Sequence, residues 1–333
     1  MIKSISIDNL GPISHMECNT FGKINLIIGP NQSGKTFLLK ALYAALKTIE
    51  QHKRGKEYRT DKELLSDKLY WTFQTESLGN IVKKGESSLS FNMKSCKGEQ
   101  FKFSFGPSTT KKVPVDTNTF SPTESNVVYI PAKEIISIRD IIIELREHSE
   151  FGFEEPYSDL AKSLKKTYKG RNYKAFSDAR QKITDMIGGR LEYNETKKEW
   201  QFRDSNRRIY DVSSTSEGVK KISILDVLLG NHYLDNHSII IIDEIEANLH
   251  PAMITRFLET IQILAEAGLQ FFISSHSYFV IKRLYIMAHR NNMSIPVLSF
   301  DEGGYNISNL RDEIPKNPII NESIALYRDE ISL

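Results

Sequence analysis

Gly29-Pro30-Asn31-Gln32-Ser33-Gly34-Lys35-Thr36 decides how the rest of this chain is read. The stretch satisfies GxxxxGK[ST] at every fixed position, and each residue type has a chemical reason. Glycines let successive backbone N–H groups wrap a row of phosphates, Lys35 reaches the β- and γ-phosphates, and the Thr36 hydroxyl can ligate magnesium at a helix N-terminus. The flanks agree with this reading. Upstream, Ile24-Asn25-Leu26-Ile27-Ile28 is nearly continuous in apolar residues, the pattern of a strand buried on both faces. Downstream, Phe37, Leu38, Leu39, Ala41, Leu42, Ala45 and Leu46 recur at helical spacing. The unit is strand, phosphate loop, helix, so Gly29, Pro30, Asn31, Gln32, Ser33, Gly34, Lys35, Thr36 and Phe37 are expected to bind ATP, with Thr36 on Mg2+.

A phosphate loop needs acids to work with, and the apolar run Ile239-Ile240-Ile241-Ile242 ends in Asp243-Glu244. One carboxylate suits the magnesium and the next polarises the attacking water, so Asp243 is expected on the metal and Glu244 as general base. One apolar run further on, Phe271-Phe272-Ile273 leads across Ser274-Ser275 to His276. That places an imidazole at the C-terminal edge of a strand, where open α/β sheets bind ligands, and His276 is expected to sense the γ-phosphate. Lys35, Glu244 and His276 form the expected catalytic set.

Working outward, Ile2-Lys3-Ser4-Ile5-Ser6-Ile7-Asp8 alternates as a half-buried strand before the Gly11-Pro12 turn. Residues 51–131 carry a helix near 62–73, alternating strands at 88–93 and 101–105, and a turn-rich tail before the apolar Val127-Val128-Tyr129-Ile130. Residues 132–187 are mainly helical and charged. The last third alternates helices and strands, which argues a mostly parallel sheet covered on both faces. The fold class is therefore α/β: a phosphate-loop NTPase with a mostly parallel central sheet, an antiparallel β subdomain and a helical insertion. Residues 1–50 and 188–300 are assigned to a discontinuous ATPase head, 51–131 to a β-rich insertion, 132–187 to the helical insertion and 301–333 to a C-terminal extension.

Composition narrows the partners. The 333 residues contain 44 Lys plus Arg against 42 Asp plus Glu, a formal charge of +2. Affinity from uniform phosphate neutralisation would demand a large positive surplus. Cys18 and Cys96 fall in no metal-binding or disulfide pattern. The N-terminal residues lack the apolar core of a signal peptide and no apolar run is long enough to span a bilayer, so a cytoplasmic protein without membrane partners is expected.

The order of motifs resembles the ABC-type ATPases of the SMC, RecF and OLD (overcoming lysogenisation defect) class. The phosphate loop is followed by Ser213-Ser214-Thr215-Ser216-Glu217-Gly218-Val219-Lys220-Lys221, then IIIIDEIEANLHP, then FFISSHS. The likeness covers roughly residues 1–50 and 125–300, and is nearest to the OLD-like and RecF-like ATPases of bacterial phage-defence and genome-maintenance systems. It implies that Ser216 and Gly218 form a signature motif completing the γ-phosphate site of a second protomer. It further implies that Glu246 to His250 occupy a dimer-contacting loop. There are departures: the signature reads Ser-Glu-Gly with no LSGGQ, which speaks against a transporter subunit. Gln74 is a weak match to the class's glutamine loop, and the residues after His276 are too few for a Toprim nuclease domain. The resemblance thus implies an ATPase acting as a homodimer or higher even oligomer. It would gate DNA or a separate effector, a nuclease or toxin; the alternative is a scaffold that binds ATP with little turnover.

Local charge supplies the DNA lead. Lys162, Lys165, Lys166, Lys169, Arg171, Lys174, Arg180 and Lys182 face Asp178 alone, interleaved with Tyr168, Tyr173 and Phe176. Such a stripe can track a phosphate backbone while aromatics stack bases, so Lys162, Lys165, Lys166, Lys169, Arg171 and Lys174 are the expected nucleic-acid contacts.

Overall fold

Hydrophobic patterning resolves into the following order along the chain in a computed structural model that describes residues 1–165, 173–301 and 304–333. Strands β1 (Ile2–Leu10) and β2 (Ile13–Cys18) form a hairpin, and β3 (Ile24–Ile28) leads through the phosphate loop into α1 (Lys35–Gln51). Helix α2 (Asp61–Phe73) opens on a capping box: the Glu63 N–H donates to the Thr60 hydroxyl and the Thr60 N–H donates to the Glu63 carboxylate. Next come β4 (Leu89–Ser95), β5 (Gln100–Phe105), β6 (Val115–Asn118) and β7 (Val127–Ile130). Helices α3 (Arg139–Glu147), α4 (Glu155–Lys165) and α5 (Lys174–Ile187) precede β8 (Gly189–Asn194), β9 (Glu199–Asp204) and β10 (Ile209–Asp211). The chain continues as α6 (Glu217–Gly230), β11 (Ile239–Ile242), α7 (Pro251–Glu266), β12 (Gln270–Ser275) and α8 (Tyr278–Arg290). It ends in β13 (Pro296–Asp301), β14 (Gly304–Asn309) and α9 (Pro318–Ile331).

Among the described residues the central sheet has the order β14-β13-β3-β12-β11-β7, parallel except for β14. Alternation along its strands sends side chains into two cores. Leu26, Ile28, Ile240, Ile242, Phe271 and Ile273 pack with α5 to α8 on one face. Ile27, Ile239, Ile241, Phe272 and Tyr129 join α1 and the antiparallel sheet β2-β1-β4-β5-β6 on the other. Burial on both faces explains why these runs are almost wholly apolar. The parallel strands aim their C-terminal ends at one edge, so the phosphate loop, Asp243-Glu244 and His276 converge there.

Strand pairing and packing cross several of the expected boundaries. Residues 127–130, assigned to the β-rich insertion, pair with β11 in the central sheet, with Tyr129 opposite Ile241. Within residues 1–18, assigned to the head, β1 pairs with β2 on one side and with β4 of the β-rich insertion on the other, in the antiparallel sheet. Strand β6 forms inside the stretch expected to be a loop, and β14, placed in the C-terminal extension, completes the central sheet. Leu160, Ala161, Leu164, Phe176, Ala179 and Ile183 of the helical insertion lie in the main core, so α4 and α5 are part of the head's packing. Strand partnership depends on residues far apart in the chain, and local pattern carries no record of it.

Helices α1, α2 and α4 meet through buried charges. The Tyr43 hydroxyl donates to Asp159, and Lys68 donates to Glu155 at 2.7 Å and to Asp159 at 3.2 Å. Burial pushes the Asp159 carboxyl up, but Lys68, Lys47 and the Tyr43 hydroxyl outweigh it and hold it below its ordinary 3.8. A carboxyl lowered in the folded state contributes stability that is present above its unfolded value and lost as pH falls through its folded value. The urea midpoint is therefore expected to fall from about pH 5 to about pH 3, and to fall less in Asp159→Asn, as followed by circular dichroism.

Candidate functional site

The loop between β3 and α1 is built on left-handed backbone. Gly29 has φ +150 and Gly34 has φ +103, and a Cβ would come within 2.8 Å of the Phe300 carbonyl oxygen at the first and 2.6 Å of Ile13 at the second. Gln32 takes φ +63 between them. A turn this tight requires glycine at both ends. Lys35, only 5% exposed, donates to the Gly29 carbonyl at 2.9 Å and to that of Pro30 at 2.7 Å. Burial lowers its pKa, opposed by the carboxylates of Asp243, Glu244 and Glu246. The Ser33 hydroxyl is buried without a hydrogen-bond partner among the described residues. Unspent polarity inside a loop of this shape fits a phosphate ligand.

Opposite the loop stands Asp243. Its Oδ2 accepts from the Thr36 hydroxyl at 3.3 Å and from the Tyr129 hydroxyl at 3.0 Å, and its Oδ1 accepts from Ser274 at 2.5 Å. The Ser274 oxygen also accepts from the Glu244 N–H at 2.8 Å, so one hydroxyl fixes both acids. Burial pushes the Tyr129 hydroxyl up, and Asp243 pushes it further. It stays protonated and can only donate to the acid. Among the described residues there is no group of three or more His, Cys, Asp or Glu that could hold a metal. One carboxylate and one hydroxyl are what Mg2+ takes from protein when phosphates and water complete its shell, so Thr36 and Asp243 fit that ion.

Glu244 follows at φ +46, a left-handed position costing a non-glycine residue on the order of 1 kcal/mol. The turn lifts its side chain out of the sheet edge, where Oε1 lies 3.5 Å from Nε2 of His276. Both line a cavity of about 440 Å³ together with Asn31, Gln32, Gly34, Lys35, Thr36 and Phe37. The structure thus brings together the expected catalytic set and most of the expected loop residues in a space of ligand size.

Ser216 and Gly218 lie elsewhere. Ser216 caps α6, its hydroxyl accepting from the Val219 N–H at 3.4 Å, and it is exposed. Gly218 packs so closely on the turn after Glu244 that a Cβ would meet the Asn248 carbonyl oxygen at 2.3 Å. In that turn Glu246 faces inward and accepts from the His276 N–H at 2.6 Å, while its second oxygen is buried without a partner among the described residues. Gln74 ends α2 at φ +47 beside Phe73, whose ring packs on Phe37 at 5.3 Å. It does not line the cavity.

The basic stripe is only partly described. Lys166, Lys169 and Arg171, with Tyr168, lie outside the described residues. Lys162, Lys165 and Lys174 are exposed, with the Lys165 ammonium 4.6 Å over the Tyr193 ring. The expected stacking aromatics are corrected by their burial. Phe176 is 5% exposed in the core, and Tyr173 packs on it at 4.8 Å and donates to Asn236. Arg180 is committed to Asp226 at 2.8 Å.

Sequence reasoning gave Ser274 and Lys221 no role of their own, and read Tyr129 only as part of the apolar run 127–130. Lys221, 1% exposed, donates to the Glu244 carbonyl at 2.7 Å. Burial lowers it to about 8, against the pull of Glu246, Asp243 and Glu244. Its position directly before the apolar helical stretch Ile222-Ser223-Ile224-Leu225 was the available signal.

No helix among the described residues is long and apolar enough to cross a membrane. Comparison with known proteins places this geometry. No curated protein matches the chain. Among solved structures, the chain is similar to the crystal structure of the SmcHead bound to the C-winged helix domain of ScpA, at 14% identity over 92% of this chain and 97% of that one, with a TM-score of 0.55. It is also similar to the Smc head domain with an extended coiled coil bound to the C-terminal domain of ScpA derived from Pyrococcus furiosus, at 11% identity over 100% and 99% of the two chains, with a TM-score of 0.50. Identities this low establish a shared fold, the phosphate-loop ATPase head. The sequence itself matches, over residues 24–282, the family described as AAA domain, putative AbiEii toxin, Type IV TA system. That span takes in the phosphate loop, residues 213–221, the acidic pair and His276, and the chain belongs to this AAA family, built on an SMC-type head.

Proposed function

We propose that the chain is a magnesium-dependent ATP phosphohydrolase that closes head to tail with a second copy and uses closure to gate DNA or a separate effector protein. The observation that carries the catalytic part is the Thr36 hydroxyl 3.3 Å from Asp243, with Glu244 and His276 lining the same cavity as Lys35. The loop N–H groups and Lys35 would hold the phosphates of ATP. Bound between Thr36 and Asp243, magnesium would supply charge neutralisation at the β- and γ-phosphates. Glu244 takes the proton of the attacking water as the bond to the γ-phosphorus forms and the bond to ADP breaks. His276, at the rim beside Glu244, contacts the γ-phosphate and reads its presence.

Closure is supported by the separation of Ser216 from the cavity that holds Lys35. Ser216 caps an exposed helix N-terminus, a site suited to anionic phosphate presented by another protomer. The effector part is supported by the family's description as a putative toxin of a toxin–antitoxin system, and by an SMC head seen bound to a ScpA domain. Exposed Lys162, Lys165 and Lys174 support DNA as the gated partner. The test is phosphate release from ATP by the purified protein. Turnover is expected with magnesium and is expected to vanish with a chelator; release that is indifferent to magnesium overturns the reading.

A further inference from the structure

We propose that Lys221 is a positioning residue for the general base: its ammonium holds the Glu244 turn against α6 and so governs turnover without governing nucleotide affinity. The inference rests on Glu244 acting as the base. Glu244 occupies a left-handed conformation with no glycine to relax it, so something must hold the turn. Ser274 restrains it from the β12 side, through the Glu244 N–H at 2.8 Å. From the α6 side the restraint is Lys221, whose Nζ donates to the Glu244 carbonyl at 2.7 Å and lies 3.5 Å from that of Asp243.

An ammonium that is 1% exposed is costly to keep in an apolar helix core unless its acceptors are fixed. Leu225, Ile222 and Ile224, on the same helix, are fully buried beside it. A second contact ties the same helix to the far end of the turn, where Gly218 leaves no room for a side chain against the Asn248 carbonyl. Helix α6 therefore grips residues 244–248 at both ends, and Lys221 is the grip nearest the base. Lys221 does not line the cavity and touches neither Lys35 nor the loop that carries it, so its loss should leave ATP binding unchanged.

The test is steady-state turnover and fluorescent-nucleotide binding for Lys221→Met, Lys221→Arg, Glu244→Gln and the Lys221→Met/Glu244→Gln double variant. Misplacing the base is expected to lower kcat about thirtyfold in Lys221→Met, with KM and Kd for ATP within about threefold of the parent. Lys221→Arg, which keeps the donors, is expected to recover most of the loss. Because Lys221 acts through Glu244, the double variant should be no more than about twofold slower than Glu244→Gln alone in long single-turnover incubations. A normal kcat in Lys221→Met, a rise in KM without a fall in kcat, or losses that multiply in the double variant would each overturn the proposal. If Lys221→Met does not fold, Lys221→Gln takes its place in the same cycle. Full-rate turnover by Glu244→Gln removes the general-base reading itself, whereas an inactive Glu244→Gln beside a normal Lys221→Met removes only the role of Lys221.

Discussion

Glu244→Gln is expected to slow ATP hydrolysis by about a thousandfold while leaving ATP binding intact. The amide keeps the size of the side chain and its place on the φ +46 turn but removes the carboxylate that accepts the proton of water. Nothing that holds the phosphates changes, since Lys35, Thr36 and the loop N–H groups are supplied by β3 and α1. Asp243 keeps all three of its hydroxyl donors, Thr36, Tyr129 and Ser274. With binding preserved and chemistry blocked, the closed dimer should accumulate in ATP, visible as a doubling of mass in mass photometry. Normal turnover by the variant would sink the assignment of Glu244. Slow turnover without dimer accumulation would retain the base and remove the clamp.

How much of this site could be read from the chain alone follows from what kind of constraint each residue answers to. Gly29 and Gly34 answer to their own backbone, and Asp243-Glu244 to the end of their own strand; such local constraints leave local patterns, and all were legible. Tyr129 and Ser274 answer to strand order. They flank Asp243 because β7 and β12 lie on either side of β11, with Ile130 and Ile273 both opposite Ile242. No spacing rule connects residues 129, 243 and 274 until the sheet is assembled. The basic stretch failed in a different way. Charge and aromatic content suggested stacking, but Phe176 follows the helical period of a core residue and is buried with Ala179 and Ile183. The period outweighs the composition, because burying a phenylalanine is worth about 1.5–3 kcal/mol whereas an exposed stacking ring returns that only when a base arrives.

Mixing two inactive variants should restore activity, and this separates a composite site from one completed within a single chain. Lys35→Ala removes the phosphate-binding ammonium, and Ser216→Arg places a bulky cation where the signature serine would meet the partner's nucleotide. In the proposed head-to-tail dimer each variant alone has no intact site, because every site would need Lys35 from one protomer and Ser216 from the other. In a mixed dimer one site receives both defects and the other receives neither, so random pairing should return about a quarter of parental turnover. If Ser216 instead served the Lys35 of its own chain, every protomer in the mixture would carry a broken site and no activity would return. Recovery upon mixing, measured as phosphate release against the ratio of the two variants, should peak at equimolar protein; a flat line at zero would place Ser216 in its own chain's site and remove the composite dimer, and full turnover by Ser216→Arg alone would place Ser216 outside the catalytic assembly.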